Sequence, residues 1–176
     1  MADSIITRLD AIAQPGTAAI DFLRKLGPIH AAWHSVHNAG TAQTGFLLFH
    51  WELIQRFDRV GGPASFGGVT PFTTNELNAF HANYDVTVNA QPNSTASLET
   101  FSQDIELWHN NAHMAIGMAV HKNLMNPRTN VRLPEFWQLH FFINDRFEEQ
   151  LNKYQAGGKI PAVVAQLETT PAAPST

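Results

Sequence analysis

The fold expected for this chain depends on residues 97–120, which have the sequence SLETFSQDIELWHNNAHMAIGMAV. In a helix, His109 and His113 would lie one turn apart on the same face, so both could bind one metal ion. Glu106 lies one turn before His109, and Asn110 directly follows it. The apolar residues of the stretch are Ile105, Leu107, Trp108, Ile116 and Val120. They leave little of the helix to face water and predict a central, buried element in which a metal would satisfy the imidazoles.

Two histidines at this spacing also occur by chance. The residue after His109 is Asn110 rather than glutamate, which excludes the zinc-protease motif HExxH. A metal site is therefore indicated only if other histidines occupy comparable positions.

Composition sets limits on the function. With 176 residues, 44% of them apolar and 15% charged, the chain is expected to form one soluble domain over residues 1–165, followed by a flexible tail at 166–176. The net charge of −4 argues against binding to nucleic acid. No apolar run is long enough to predict a membrane span. The N-terminus lacks a signal-peptide pattern, which favours a cytoplasmic location. There is no cysteine, so any metal must be held by histidine and carboxylate groups, and histidine is abundant.

A histidine stripe is predicted near the N-terminus. Residues 17–26 are expected to form a short helix that Gly27 ends, and Pro28 is expected to begin the next helix, which ends near residue 40. The second helix would carry three histidines in one narrow stripe. They are His30, His34 and His37. Apolar neighbours favour partial burial of the stripe, and the alternative is a solvated polar face.

Two more helices would each contribute one histidine. Residues 46–58 form an amphipathic pattern with His50 in the apolar face, and Pro134 begins a last long helix with His140 in its apolar face. Residues 60–96 are expected to be mostly loop, with a capping box at Thr73 that begins a short helix. The predicted fold is all-α, a four-helix-bundle core with long connecting loops. All four tryptophans are expected near the inward-facing histidines.

The histidine inventory favours two copper ions. Imidazole ligands suit copper, zinc, iron or nickel. A single zinc ion needs three or four ligands, whereas seven histidines are candidates. A carboxylate di-iron site needs two E-x-x-H motifs, and only Glu106 with His109 provides one. Two coppers with three histidines each account best for the residues present.

Three segments then resemble a known family. Residues 46–58, FLLFHWELIQRFD, are similar to the pattern F-L-x-W-H-R. Residues 106–117, ELWHNNAHMAIG, are similar to H-N-x-x-H, and residues 134–147, PEFWQLHFFINDRF, are similar to D-P-x-F-x-x-H with a downstream Asp-Arg. Together, in this order, they resemble the type 3 copper proteins, namely tyrosinases, catechol oxidases and haemocyanins. The resemblance covers roughly a quarter of the chain.

The resemblance implies a ligand set. His50 would be the third ligand of the first copper, and the second copper would be bound by His109, His113 and His140. The first copper would take two further ligands from His30, His34 and His37, and the sequence does not choose among them. The chain departs from the family at several positions. Thr41 or Ala42 stands where tyrosinases place a ligand, Phe141 where many relatives have a second histidine, and Leu133 in place of an aspartate before Pro134.

The resemblance also implies a reaction. The expected function is a dicopper oxidase or monooxygenase that activates O₂ to hydroxylate phenols, or to oxidise catechols or o-aminophenols to quinones. Glu106 and Asn110 would hold the water that deprotonates a phenol, although Glu106 could instead hydrogen-bond a ligand imidazole. The alternatives are haemocyanin-like reversible O₂ binding and a mononuclear copper or zinc protein, and the short chain favours the enzyme. The implied partners are a small phenolic substrate, O₂ and a copper-delivery (caddie) protein, with monomer and dimer both open.

Overall fold

A computed structural model describes residues 5–37, 45–82 and 95–153. Every regular element within those ranges is a helix, which confirms the all-α class. The α-helices are α1 (Ile5–Ile12), α2 (Ala19–Val36), α3 (Gly45–Arg59), α4 (Gly62–Ser65), α5 (Thr74–Ala79), α6 (Thr95–Ala119) and α7 (Pro134–Lys153). Two 3-10 helices, η1 (Lys122–Met125) and η2 (Asn130–Arg132), connect α6 to α7. None of the described helices combines the length and the hydropathy needed to span a membrane.

Helix α3 lies at the centre of the packing and contacts α1, α6 and α7. On one side, Phe57 of α3 stacks on Trp137 of α7, with ring centroids 3.6 Å apart. On another side, Phe49 stacks on Trp33 of α2 at 4.4 Å. Helix α2 packs against α1 and η2. The regular four-helix bundle stays a prediction, because these contacts establish helix packing without a four-helix arrangement.

The expected break at Gly27 and Pro28 is wrong, because α2 runs through both residues without interruption. Gly27 is buried, and a Cβ atom at this position would overlap the backbone carbonyl of Arg128. Glycine is therefore needed for a close approach of two chain segments rather than for a helix end. Pro28 cannot donate the helical hydrogen bond to the carbonyl of Arg24, and the helix continues despite this loss.

Helix α1 is an element that the sequence patterns did not predict. Its residues Ile5 and Leu9 are buried in the core. Asp10 forms ion pairs with Arg56 at 3.0 Å and with Arg59 at 3.1 Å, both on α3. Arg56 is almost fully buried and also pairs with Glu52. Because a buried guanidinium needs compensating charge, these pairs hold α1 against the helix that carries His50.

Several predicted boundaries are confirmed. Thr73 and Glu76 form a complete capping box at the start of α5, and Pro134 is the first residue of α7. The segment predicted to be mostly loop, residues 60–96, contains the single turn of α4 in addition to α5. The proposed tail at 166–176 lies outside the described residues. The single domain over residues 1–165 therefore stays a prediction.

Replacing Gly27 with alanine tests the close approach between α2 and the segment before α7. We expect Gly27→Ala to lower the free energy of unfolding by about 1–3 kcal/mol, because the new Cβ must displace backbone rather than a flexible side chain. That loss outweighs the gain of about 1 kcal/mol that alanine brings to a helix. Urea titration would measure it. Gly45→Ala is the matched control, since a Cβ there meets open space. Equal stability of the two variants would contradict this explanation.

Candidate metal centre

Six histidines from four helices converge in the interior of the protein. Helix α2 contributes His30 and His34, α3 contributes His50, α6 contributes His109 and His113, and α7 contributes His140. Five of the six are buried, and His34 is partly buried. The helical spacing that predicted each inward-facing position is the reason for this convergence, because each imidazole belongs to the apolar face of its helix.

The imidazoles form two overlapping groups. His30, His50 and His140 offer one ring nitrogen each, and these three atoms lie within 4.8 Å of one another. His109, His113 and His140 form a second group that meets the same distance limit. His140 belongs to both groups, so the two lie side by side. Each group could hold a metal ion.

His34 connects the two groups. Its Nε2 atom lies 3.1 Å from Nε2 of His30, and its ring stacks on that of His109 with centroids 5.9 Å apart. His34 is therefore close to one member of each group. Of the three candidates on α2, the structure brings His30 and His34 to the site.

His37, the third candidate, lies outside both groups. Its Nδ1 atom is 3.0 Å from the carbonyl oxygen of Trp33, and its ring stacks on the Trp33 indole with centroids 4.5 Å apart. It is partly buried at the edge of the cavity described below. His81 and His121, which the sequence analysis did not include in the site, are exposed.

Three of the imidazoles are oriented by backbone carbonyl groups. The Nδ1 atoms of His30, His50 and His140 lie 2.8, 2.8 and 2.7 Å from the carbonyl oxygens of Pro127, Phe46 and Phe136. A carbonyl oxygen can only accept a hydrogen bond, so each Nδ1 must donate its proton. In the neutral ring, Nε2 then carries a lone pair that can bind a metal. We call these three histidines the preset imidazoles.

Two other imidazoles depend on the preset ones. Nε2 of His34 lies 3.1 Å from Nε2 of His30, and Nε2 of His109 lies 3.2 Å from Nε2 of His140. Because Nε2 of His30 and Nε2 of His140 carry no proton, they can only accept a hydrogen bond. His34 and His109 must therefore donate from their own Nε2 atoms in these contacts. Binding of a metal at these nitrogens would require both rings to hold their proton at Nδ1 instead.

Other ring nitrogens have no hydrogen-bond partner among the described residues. These atoms are Nε2 of His50, Nδ1 of His109 and both nitrogens of His113. Each such buried polar atom costs about 1–3 kcal/mol. A metal ion would remove part of this cost by binding lone pairs. Neutral imidazoles without a carboxylate suit copper, zinc, iron or nickel, so the donor set fits the copper ions expected from the sequence.

Burial keeps all six imidazoles neutral. It is the largest cause that lowers the pKa of His30 to about 4, that of His113 to about 3 and that of His34 to about 2. Repulsion from neighbouring imidazolium charge lowers the last two further. The nearby Leu124 backbone partly opposes this lowering of the His113 pKa.

The other three imidazoles show the same effect. Burial lowers the pKa of His50, His109 and His140 well below the ordinary value, and nearby imidazoles act in the same direction. Hydrogen bonds to the carbonyls of Phe46 and Phe136 partly oppose the shift for His50 and His140. The site is therefore ready to bind metal at neutral pH, since ligating histidine must be neutral.

A cavity of about 330 Å³ leads to the imidazoles. Four of the six site histidines line it together with Asn110, and residues of the segment from η1 to η2 line it as well. Two half-exposed methionines, Met114 and Met125, also line it, so the cavity reaches the surface. His50 and His140 are absent from this lining and reach the other imidazoles from the core side.

Aromatic side chains enclose the core side of the site. Phe136 stacks on His140 with centroids 3.8 Å apart, and Phe46 contacts His50 at 4.4 Å. Trp33 also contacts His50, at 5.7 Å. These rings exclude water from the imidazoles that the cavity does not reach.

The expectation that all four tryptophans lie beside the site is met in part. Trp33 contacts the histidine rings directly, and Trp51 borders a small void next to His50 and His140. Trp108 packs on Phe142 and donates to a carbonyl in the segment after α5. Trp137 stacks in the core between α3 and α7 and donates to Val131.

The two residues expected to act in catalysis lie on α6. Glu106 is almost fully buried one turn before His109, and Asn110 is partly buried and lines the cavity. Sequence reasoning missed the backbone carbonyl of Pro127, which orients His30. No residue type signals such a role, because every residue has a carbonyl group.

Acid should destabilise the metal-free chain. Unfolded histidines take up protons near pH 6.5, whereas the six buried ones do not, so the unfolded state binds more protons and the free energy of unfolding falls as pH falls. Between pH 7.5 and 5.5 we expect a loss of about 1.4 kcal/mol for each imidazole that stays neutral. Urea titrations at the two pH values would measure it.

Two variants control this measurement. His50→Phe should reduce the pH dependence by the contribution of one imidazole. His81→Asn should leave it unchanged, because His81 is exposed and asparagine tolerates its positive φ of 61°. A stability that is independent of pH over this range would contradict the burial of neutral imidazoles.

Comparisons with known proteins add no relative to this description. Neither a protein-family model, nor a curated protein, nor a solved structure matches the chain significantly. The assignment of a metal centre therefore depends on the histidine geometry alone.

Proposed function

We propose that this protein is a type 3 dicopper oxidase that hydroxylates phenols and oxidises catechols or o-aminophenols to quinones. The observation that supports it best is the pair of adjacent three-nitrogen groups, made of neutral imidazoles from four helices, beside a cavity of about 330 Å³. Mononuclear sites need only three or four ligands. Six convergent imidazoles therefore favour two ions over one.

The ligands divide between the two proposed ions by proximity. His109 and His113 lie one turn apart on α6 and share a group with His140, so these three would bind one copper. His30 and His50, together with the adjacent His34, would bind the other. Because His140 is also within reach of His30 and His50, the two ions would be neighbours.

When bound, two neighbouring copper ions supply the electrons that activate O₂ for oxidation of an aromatic substrate. The protein would contribute binding, orientation and exclusion of water. A cavity of about 330 Å³ lies at the lower end of the range for small-molecule sites, which favours a substrate with a single aromatic ring. The preset imidazoles hold their lone pairs in place before metal arrives, which reduces the ordering cost of binding.

Two residues of α6 would handle the substrate proton. Asn110 lines the cavity, where its amide can hydrogen-bond a water molecule or a phenol hydroxyl. Glu106 is buried one turn before His109, and we propose that it accepts the phenol proton through water. The alternative is that Glu106 orients a ligand imidazole by hydrogen bonding. The experiment on Glu106 below separates these roles.

The opening of the cavity favours an enzyme over a haemocyanin-like oxygen carrier. Met114 and Met125 line the cavity and are half exposed, so a substrate can approach from solvent. A carrier has to exclude substrates from its metal ions.

The other proposed partners are O₂ and a copper-delivery protein. The proposal also includes a cytoplasmic location, and it is compatible with either a monomer or a dimer.

The copper content of two variants tests the ligand assignment. After growth with copper, we expect the natural chain to hold about two copper ions. His34→Gln should lose one ion, because His34 lies beside the preset His30. His37→Gln is the matched control and should keep both, since the His37 ring stacks on Trp33 and bonds to its carbonyl rather than to a site imidazole. Metal analysis of the purified proteins would measure this.

Three results would contradict the proposal. Zinc or iron in place of copper would exclude the oxidase, and a single copper would favour a mononuclear protein. Loss of copper from His37→Gln but not from His34→Gln would show that the first ion is bound differently. Turnover of phenol and catechol by the two-copper chain completes the test, since a carrier would bind O₂ without oxidising either compound.

Replacing Glu106 with glutamine tests its role as a base. Glutamine keeps the shape of the side chain and removes the carboxylate. If Glu106 accepts the phenol proton, phenol hydroxylation should fall by about 10²–10⁴-fold while catechol oxidation changes little. Initial rates on both substrates, at equal copper content, would measure this. An equal loss of both activities would instead indicate that Glu106 orients a ligand imidazole.

A further inference from the structure

All three methionines in the part of the chain that the structure describes lie at the protein surface. The exposed fractions are 54% for Met114, 69% for Met118 and 43% for Met125. Methionine is normally among the buried residues. Core packing therefore does not account for these three side chains.

Two of these methionines, Met114 and Met125, line the histidine cavity, and Met118 comes from the same helix as Met114. Met114 and Met118 are one turn apart on α6 and follow Asn110 along the same face. Met125 comes from η1, which packs against α6. A Cβ atom at Gly117 would lie 2.8 Å from Cγ of Met125 and 3.6 Å from its Sδ atom. Glycine at 117 thus lets the Met125 thioether lie against α6 beside a residue whose chain position is between Met114 and Met118.

The position of these thioethers connects the surface with the imidazoles. Met114 and Met125 line the same cavity as His34 and His113. No carboxylate is among the described residues that line this cavity. Hard divalent cations such as Mg²⁺ or Ca²⁺ therefore lack the carboxylate ligands that they usually bind, whereas soft thioether sulfur selects Cu(I).

We propose that Met114, Met118 and Met125 form a Cu(I) capture site, from which the ion passes to His34 and His113 by ligand exchange. The ion stays Cu(I) throughout, with sulfur ligands replaced by imidazole nitrogens, so the transfer needs no oxidant or reductant. The transfer rests on the proposed dicopper function, whereas the capture of Cu(I) by the three thioethers does not.

The first experiment uses Ag(I), a soft monovalent ion that does not change its oxidation state, as the probe for Cu(I). The folded full-length chain would carry ¹³C-labelled methionine methyl groups. With less than one equivalent of Ag(I), we expect the methyl resonances of Met114, Met118 and Met125 to shift together. Ile20→Met provides the control, because Ile20 is 69% exposed and lies ten residues before His30 on α2, about 15 Å along the helix. Its added methyl should not shift at this concentration.

The second experiment measures the rate of copper uptake. A triple variant with Met114→Leu, Met118→Leu and Met125→Leu keeps similar volume and apolar character and removes the three thioethers. With limiting Cu(I), we expect this variant to reach the same final copper content about tenfold more slowly than the natural chain. Because only the rate should change, a folding defect or a lost histidine ligand would be recognised by a lower final content.

Two outcomes would overturn the proposal. One is that Ag(I) shifts the control methyl of Ile20→Met as strongly as the methyls of Met114, Met118 and Met125, or shifts none of these four. The other is that the triple leucine variant takes up copper at the natural rate. If Ag(I) shifts the methyls of Met114, Met118 and Met125 but the chain retains no copper at its histidines, the capture site is supported and the proposed dicopper function fails.

Discussion

Six imidazoles can share one apolar core only if they remain neutral, and much of the site depends on this constraint. Burial and mutual repulsion both lower their pKa values, so the folded chain holds one proton on each ring. With one proton per ring, every hydrogen bond fixes which nitrogen keeps a lone pair. The backbone bonds to His30, His50 and His140 make that choice for three rings, and the choice at His34 and His109 follows from it.

The fold meets this constraint with two kinds of support. His50 and His140 are held by carbonyls one turn earlier in their own helices, so helix formation alone orients them. His30 is held from outside its helix, by Pro127 in the connection between η1 and η2. That connection can approach α2 because residue 27 is a glycine, one turn before His30 on the same face. A local property of one residue type thus determines how a distant segment reaches the site.

Periodicity in the sequence was sufficient to predict the α class and most of the histidines that converge. His50, His109, His113 and His140 each lie in a strong apolar pattern, and burial follows directly from such patterns. The break expected at Gly27 was wrong, because a glycine that ends a helix and a glycine that admits another backbone look alike in a sequence.

Other features depend on tertiary contacts that no local pattern encodes. Helix α1 is short, and its ion pairs join residues far apart in the chain, Asp10 with Arg56 and Arg59. The sequence could not separate His34 from His37 either, since both fall on the same stripe of α2. Their surroundings differ in the fold, since His34 lies beside His30 whereas His37 stacks on Trp33.

The use of backbone carbonyls to orient three imidazoles has a consequence for how this protein can change during evolution. A side-chain partner can be lost by a single substitution, whereas a peptide carbonyl is present whatever residue occupies the position. Phe46, Phe136 and Pro127 could therefore vary without removing the acceptor itself. Insertions and deletions would be far more damaging, because they shift the register that brings each carbonyl to its ring. Related chains should thus tolerate drift in residue identity around the site while conserving the spacing between its histidines.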